Sequence, residues 1–261
     1  SQEEIDTINE EFDKYLTVRD EFDKKKDLRG WDCRGRWGCK WSNLIPETPY
    51  MASLLEDPRI YVSTEQLLGE DTVPVRSNAN SFRHNTARHM DSRQRHLCML
   101  KNLVYLQPTS SDHGSLRLIP GSHKSPLFDE LIRIGLGKSD NNESKFLKES
   151  GMRGEDIPCY IFCSQPGDVI TFNQNTWHAA FGGYEDRRNC SLSFYSNPTT
   201  AKEEEDLHVL VEDAKTISPA MDLQNSPYYH PWWLANPEGS SKRARWINWL
   251  EKWGFIEKMN N

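Results

Sequence analysis

The stretch RHMDSRQRH, Arg88 to His96, places His89 and Asp91 two positions apart. On a strand, side chains at i and i+2 point to the same side, so this imidazole and this carboxylate can reach one point in space. His178 offers a third ligand at the end of the β-type run DVITFNQNTWH, which comes after a Pro-Gly turn. Two neutral imidazoles and one carboxylate on one face of an octahedral ion leave three adjacent positions open. That arrangement suits non-haem Fe(II) and O2. An HxD triplet alone is unremarkable in a chain with 8 histidines and 39 acidic residues. Its weight comes from the order of the segments downstream: the strand LKNLVYL, then DHGSLRLIPGSHK, then QPGDVITFNQNTWH, then an arginine ten residues past His178.

These ligands need elements to hold them. Residues 1 to about 30 carry Ile5, Ile8, Phe12, Tyr15 and Leu16 at helical spacing and read as a peripheral helix. GWDCRGRWGCKWSNLIPETPY then reads as an ordered loop pinned by Trp31, Trp37 and Trp41, and residues from Tyr50 to Gly69 return to helical character. From residue 72 come short β-type runs separated by turn clusters, the pattern of a sandwich or barrel. The insertion KSPLFDELIRIGLGKSDNNESKFLKESGMRGED suggests a helix followed by a mobile loop or lid. The C-terminal SSKRARWINWLEKWGFIEK reads as an amphipathic helix, with Trp246, Ile247, Leu250 and Trp253 packed on the sheet. A single domain is expected over 1–261, with N-terminal helices and loop in 1–70, a β core in 71–200 and a helical region in 201–261.

Composition narrows the function. The formal net charge of -7 gives no basic field of the kind that draws a protein to nucleic acid, and no apolar run is long enough to span a bilayer. The expected partner is a small molecule bound by a monomer in the cytoplasm, without nucleic acid or membrane. The chain begins without methionine, so its start is read as a trimmed boundary. Six cysteines without a CxxC pair do not suggest a disulfide scaffold, and Cys159 and Cys163 read as small core residues in preference to zinc ligands.

GSLRLIPGSHK, PGDVITFNQNTWH and RRNCSLSFY resemble the motifs of the phytanoyl-CoA dioxygenase (PhyH) family of Fe(II)/2-oxoglutarate oxygenases, over roughly residues 55 to 200. The resemblance implies a mainly β fold, a double-stranded β-helix (jelly roll, cupin-like) with flanking helices. It implies Fe(II) as cofactor, with 2-oxoglutarate and O2 as cosubstrates. His89, Asp91 and His178 match the family's iron ligands, and Arg188 matches the arginine that pairs with the distal carboxylate of 2-oxoglutarate. Arg187 faces the opposite way by alternation.

One departure is Ala180, where the family often has a small hydroxyl residue two positions after the distal histidine. Thr86, Asn78 and Asn173, with Asn80 and Asn175, are then candidates to hold 2-oxoglutarate, although each suits a turn or strand end equally well. Arg93, Arg95 and His96 are candidates for an acidic group on the substrate through charge-assisted hydrogen bonds. The aromatic YYHPWWLAN either lines that pocket or anchors the C-terminal tail.

The implied chemistry couples oxidative decarboxylation of 2-oxoglutarate to attack on an unactivated C–H bond of a small, polar, carboxylate-bearing metabolite. Hydroxylation is the default; desaturation or ring closure of the kainoid type in specialised metabolism is open, and the retained Asp91 disfavours halogenation. The rival readings are a divalent-metal jelly roll acting as hydrolase or isomerase, and a non-catalytic binding module.

Overall fold

The computed structural model describes residues 1–25, 39–43, 47–136, 145–183, 186–215 and 229–256. Two antiparallel sheets face each other. The larger has the order β1-β2-β9-β4-β7 and the smaller β3-β8-β5-β6. The larger is built from β1 (Cys39–Asn43), β2 (Val73–Phe82), β4 (Met99–Tyr105), β7 (Val169–Asn173) and β9 (Arg187–Tyr195). The smaller comprises β3 (Thr86–His89), β5 (Leu116–Leu118), β6 (Tyr160–Phe162) and β8 (His178–Ala180). This is the expected jelly roll with flanking helices.

Alternation along β2, β4 and β9 divides their residues between two environments. One parity carries Ala79, Val104, Cys190, Leu192 and Phe194, which pack into a core with the helices outside the sheet. Those helices are α1 (Gln2–Lys25), α2 (Pro49–Ser53), α3 (Pro58–Leu68), α7 (Pro231–Ala235) and α8 (Ser241–Trp253). Ile5, Ile8, Phe12 and Tyr15 of α1 are buried there, as their spacing predicts. Trp246 and Leu250 of α8 are fully enclosed, and the Trp246 indole N–H donates to the Thr72 carbonyl at 2.9 Å. The other parity carries Asn78, Asn80, Asn189, Ser191 and Ser193 and faces the space between the sheets. A polar row inside a sandwich marks a cavity that receives a ligand, not a dry core.

Trp246→Ala should therefore destabilise the protein by about 3–5 kcal/mol, the cost of emptying a fully buried aromatic site. Denaturant unfolding read by far-UV circular dichroism measures it.

Three expectations about the periphery change. Trp41 lies in β1, paired antiparallel with β2 from Cys39↔Phe82 to Asn43↔Asn78, so the Gly- and Trp-rich segment ends in an edge strand. Trp31 and Trp37 lie outside the described residues. The insertion forms α4 (Leu127–Arg133) and α5 (Lys145–Ser150), while its middle, 137–144, lies outside the described residues. Cys163 is exposed, whereas Cys159 is half-buried against the cluster of Ile119, Leu131 and Trp177. Tyr229 and Trp233 stack at 5.7 Å within the helix-side core, which gives YYHPWWLAN the anchoring role. Among the described residues no helix is long and apolar enough to cross a membrane.

Candidate metal and cosubstrate site

Strand pairing brings the two histidines together. His89 ends β3, His178 begins β8, and they are direct Cα partners, with imidazole centroids 4.2 Å apart. Asp91 comes after β3 on a segment whose backbone N–H donates to the Gln174 carbonyl at 2.9 Å, tying it to the turn before β8. Asn175 holds the next residues, donating from its amide to the carbonyls of Ser92 and Gln94. Each histidine donates Nδ1–H to the carbonyl two residues earlier, His89 to Ala87 and His178 to Thr176, both at 2.8 Å. That bond selects the tautomer with a lone pair on Nε2 and aims it. His89 Nε2 lies 3.9 Å from Asp91 Oδ1, and His178 Nε2 lies 3.7 Å from Asp91 Oδ2.

The three ligand atoms fall within 4.8 Å of one another, close enough to hold one metal ion. The donor set fits Fe(II) in kind and number. Electrostatics favour the metal-binding forms of His178 and Asp91. Burial and the neighbouring His89 push His178 well below the usual histidine range, so its ring is neutral. Burial opposes ionisation of Asp91, but the Lys101 ammonium beside it favours the carboxylate, and the net effect holds the carboxyl low.

The ligands open on a cavity of about 570 Å3, within the usual size of a small-molecule site. At one end Arg187 is 3 % exposed; its guanidinium donates to the Gly114 carbonyl at 2.6 Å and to Thr86 Oγ1 at 3.3 Å. Tyr105 lines the same end, its hydroxyl pushed up to about 12 by burial and thus kept protonated as a donor. Arg76 and Lys101, both paired with Ser193, lie six residues along β9 from Arg187, and Arg93, Tyr195, Leu210, Asp213 and Phe255 also line the cavity. Lys101 Nζ is 2.8 Å from Asp91 Oδ2.

The structure brings together His89, Asp91, His178, Thr86, Asn78 and Arg93 of the expected residues, and Asn80 joins them. The expected Asn175, engaged with Ser92 and Gln94, lies elsewhere, as do Arg188, Asn173, Arg95 and His96. Arg188 points to the helix side, where it pairs with Asp13 and Asp186, both at 2.7 Å, and lies over the Phe12 ring. The residue of that pair inside the cavity is Arg187. Asn173 alternates with the inward Phe172; its Oδ1 accepts the Asn175 N–H, which fixes a turn. Arg95 is drawn away to Asp129, Ser125 and the Phe128 ring, and the His96 backbone N–H donates to Asp206. Arg88 is buried on the opposite side from His89 and donates to the carbonyls of Gly154 and Ile157.

The family model for phytanoyl-CoA dioxygenase (PhyH) matches residues 1–188 of the 261. The chain belongs to the PhyH family. As a PhyH protein it is an Fe(II)/2-oxoglutarate-dependent dioxygenase, and its cofactor and cosubstrate are iron and 2-oxoglutarate. No curated protein matches it in sequence. Among solved structures, AviO1 from Streptomyces viridochromogenes Tue57 is 13% identical over 77% of this chain and 87% of its own, with a TM-score of 0.52. HygX from Streptomyces hygroscopicus, solved with nickel, 2-oxoglutarate and hygromycin B, is 18% identical over 61% of this chain and 70% of its own, with a TM-score of 0.45. SnoN, the epimerase of nogalamycin biosynthesis, solved with Fe3+, α-ketoglutarate and nogalamycin RO, is 20% identical over 71% and 74%, also at 0.45. At these identities the likeness to AviO1 speaks to the fold alone.

Three residues inside this PhyH cavity escape a reading of the sequence alone: Arg187, Lys101 and Arg76. A signal exists for the first. In RRNCSLSFY the apolar parity is Cys190, Leu192 and Phe194, and where helices cover one face of a sheet that parity belongs to them. The parity of Asn189, Ser191 and Ser193, to which Arg187 belongs, is then left for the ligand.

Proposed function

We propose that the protein oxidises a C–H bond of a small, polar, carboxylate-bearing metabolite, with His89, Asp91 and His178 holding the iron and Arg187 holding 2-oxoglutarate. The observation that supports this reading is that the ligands open on one cavity in which Arg187 and the Arg76–Lys101 pair lie six residues apart along β9, with Lys101 against Asp91 and Arg93 also in the lining. Arg187 suits the distal carboxylate of 2-oxoglutarate, and the Arg76–Lys101 pair suits an acidic substrate.

Bound iron supplies the means to couple decarboxylation of 2-oxoglutarate by O2 to oxidation of the substrate. The chain's own residues bind, orient and enclose. Arg187 presents a buried guanidinium, already fixed by the Gly114 carbonyl, to a planar carboxylate. Thr86 is the Cα partner of Ala180 across β3 and β8. Its hydroxyl therefore stands beside the position where the family often has one, and supplies the donor that Ala180 lacks. The neutral Tyr105 hydroxyl and the Asn189 side chain, whose Oδ1 accepts from the Asn80 amide, also line this part of the cavity. Phe172 sets its edge against His178 at 5.0 Å and closes that side of the ligand set to solvent.

Hydroxylation is the default outcome. Desaturation or ring closure in specialised metabolism results where the substrate end keeps the activated carbon away from oxygen transfer. Thr86→Val should weaken 2-oxoglutarate by about tenfold, the value of one hydrogen bond to a charged group, while leaving divalent-metal affinity unchanged. Titration of 2-oxoglutarate against the metal-loaded protein measures both.

A metabolite screen that monitors succinate release tests the function itself. Small carboxylic acids should raise iron-dependent succinate formation above the substrate-free rate. If neutral metabolites did so and acids did not, the substrate assignment would be wrong.

A further inference from the structure

The register of the larger sheet sets three polar side chains in one row beside the metal ligands. Arg76 of β2 is the Cα partner of Ser193 on β9, and Ser193 is in turn the partner of Lys101 on β4. All three line the cavity. Directly paired residues on adjacent antiparallel strands share a face and sit about 5 Å apart, so Arg76 and Lys101 rise from either side of Ser193 with their Cα atoms about 10 Å apart. The opposite cationic group, Arg187, is six residues from Ser193 along β9, about 20 Å at 3.3 Å per residue. The row is thus a second anion-receiving feature, separate from the 2-oxoglutarate end.

We propose that the Arg76–Ser193–Lys101 row is the anchor for a carboxylate of the substrate and places the oxidised carbon near that acidic group. The inference rests on the iron and 2-oxoglutarate reading above and adds to it where the substrate's acid sits.

Two further observations support the row. The first is the distance from Lys101 to the metal ligands. Its Nζ is 2.8 Å from Asp91 Oδ2. An ammonium carries three N–H donors, so the group that steadies Asp91 can also hold an acid lying directly over the metal. Phe172, the Cα partner of Lys101 on β7, packs on His178, so the row and the ligand set share one wall.

The second is charge. The cavity is lined by four cations, Arg76, Arg93, Lys101 and Arg187, and by two carboxylates, Asp91 and Asp213. A divalent metal and the doubly negative 2-oxoglutarate cancel each other, which leaves an excess of two positive charges. In a partly desolvated cavity that excess attracts an anionic substrate and disfavours a neutral or cationic one. Asp213, which lines the cavity from α6 (Ala201–Lys215), also allows the acid to carry a protonated amine.

The test uses the whole protein, anaerobic, with Fe(II) and 2-oxoglutarate, and monitors the visible absorption band of the chelate. Butyrate and 3-phenylpropionate are added as acids, and their methyl esters as uncharged counterparts. In wild type the acids should shift the band saturably without bleaching it, and the esters should not. In Arg76→Met and in Lys101→Met the acid concentration for half the shift should rise at least about tenfold, as expected for losing a hydrogen bond to a charged group. Arg76 is two strands removed from Lys101 and its exchange leaves the Asp91 contact in place, so that variant decides. A band that forms but responds equally to acids and esters, or to neither, or that acids shift as readily in Arg76→Met as in wild type, overturns the row and leaves the iron reading standing. Failure of wild type to form the band at all would instead overturn the reading on which the row rests.

Discussion

Arg187→Met should raise the 2-oxoglutarate concentration for half-maximal turnover about thirtyfold to a thousandfold. That corresponds to about 2–4 kcal/mol for removing one partner of a desolvated charge pair. Arg188→Met should leave the same quantity within about twofold, because its guanidinium is engaged with Asp13 and Asp186 outside the sheet. The contrast between adjacent arginines is informative because alternation puts them on opposite faces, so both cannot serve the cosubstrate. Arg188→Met should cost only about 1 kcal/mol of stability, since the carboxylates it pairs with are solvent-accessible. Steady-state kinetics in 2-oxoglutarate with each variant, alongside a denaturation curve, measures both effects. A large change in the Arg188 variant with a small one in the Arg187 variant would reverse the assignment.

The metal ligands are expected to give the other large effect. His178→Ala removes a buried imidazole whose Nδ1 is committed to Thr176 and whose Nε2 faces Asp91. Loss of an outer partner of a metal ligand already costs 10- to 100-fold in affinity, so loss of the ligand itself should weaken divalent-metal binding by more than about a hundredfold. Turnover should fall to the background rate. His178 is neutral in the fold because burial and His89 disfavour its charged form. Its exchange for alanine therefore removes no ion pair, and the thermal unfolding midpoint should move by only a few degrees. Equilibrium dialysis with Co(II) separates the loss of metal from any loss of fold.

The triad was legible in the sequence because its information is local. His89 and Asp91 are two positions apart, and although β3 ends at His89, so that strand period is not what joins them, the bend after the strand returns the carboxylate to the imidazole. His178 could be matched through the motif that carries it, and the pairing of His89 with His178 then does the rest. The jelly roll was legible for a similar reason, since short runs between turn clusters admit few architectures.

Which of the two adjacent arginines enters the cavity was harder to read. Alternation separates Arg187 from Arg188 without saying which side is which. The usual rule that apolar residues point inward misleads here, because the inward side of β9 is a wet cavity and the apolar side faces helices. Lys101 was hidden by the opposite habit, since a single lysine in MLKNLVY reads as the exposed face of a half-buried strand. Arg95 and His96 show the limit of proximity in sequence. Beyond Gln94 the chain turns away, and Asp129 and Asp206 hold Arg95 and His96 outside the cavity. Asn173 failed by one position of alternation, with Phe172 taking the inward place.

The most direct measurement is anaerobic addition of Fe(II) and 2-oxoglutarate to the purified protein, monitored by visible absorption. Wild type should develop the weak charge-transfer band of an iron-bound 2-oxoglutarate chelate, saturating at one equivalent of iron. His178→Ala should not develop it, and Arg187→Met should need far more 2-oxoglutarate to do so. Absence of the band in wild type, or its persistence undiminished in His178→Ala, would contradict the placement of iron on His89, Asp91 and His178.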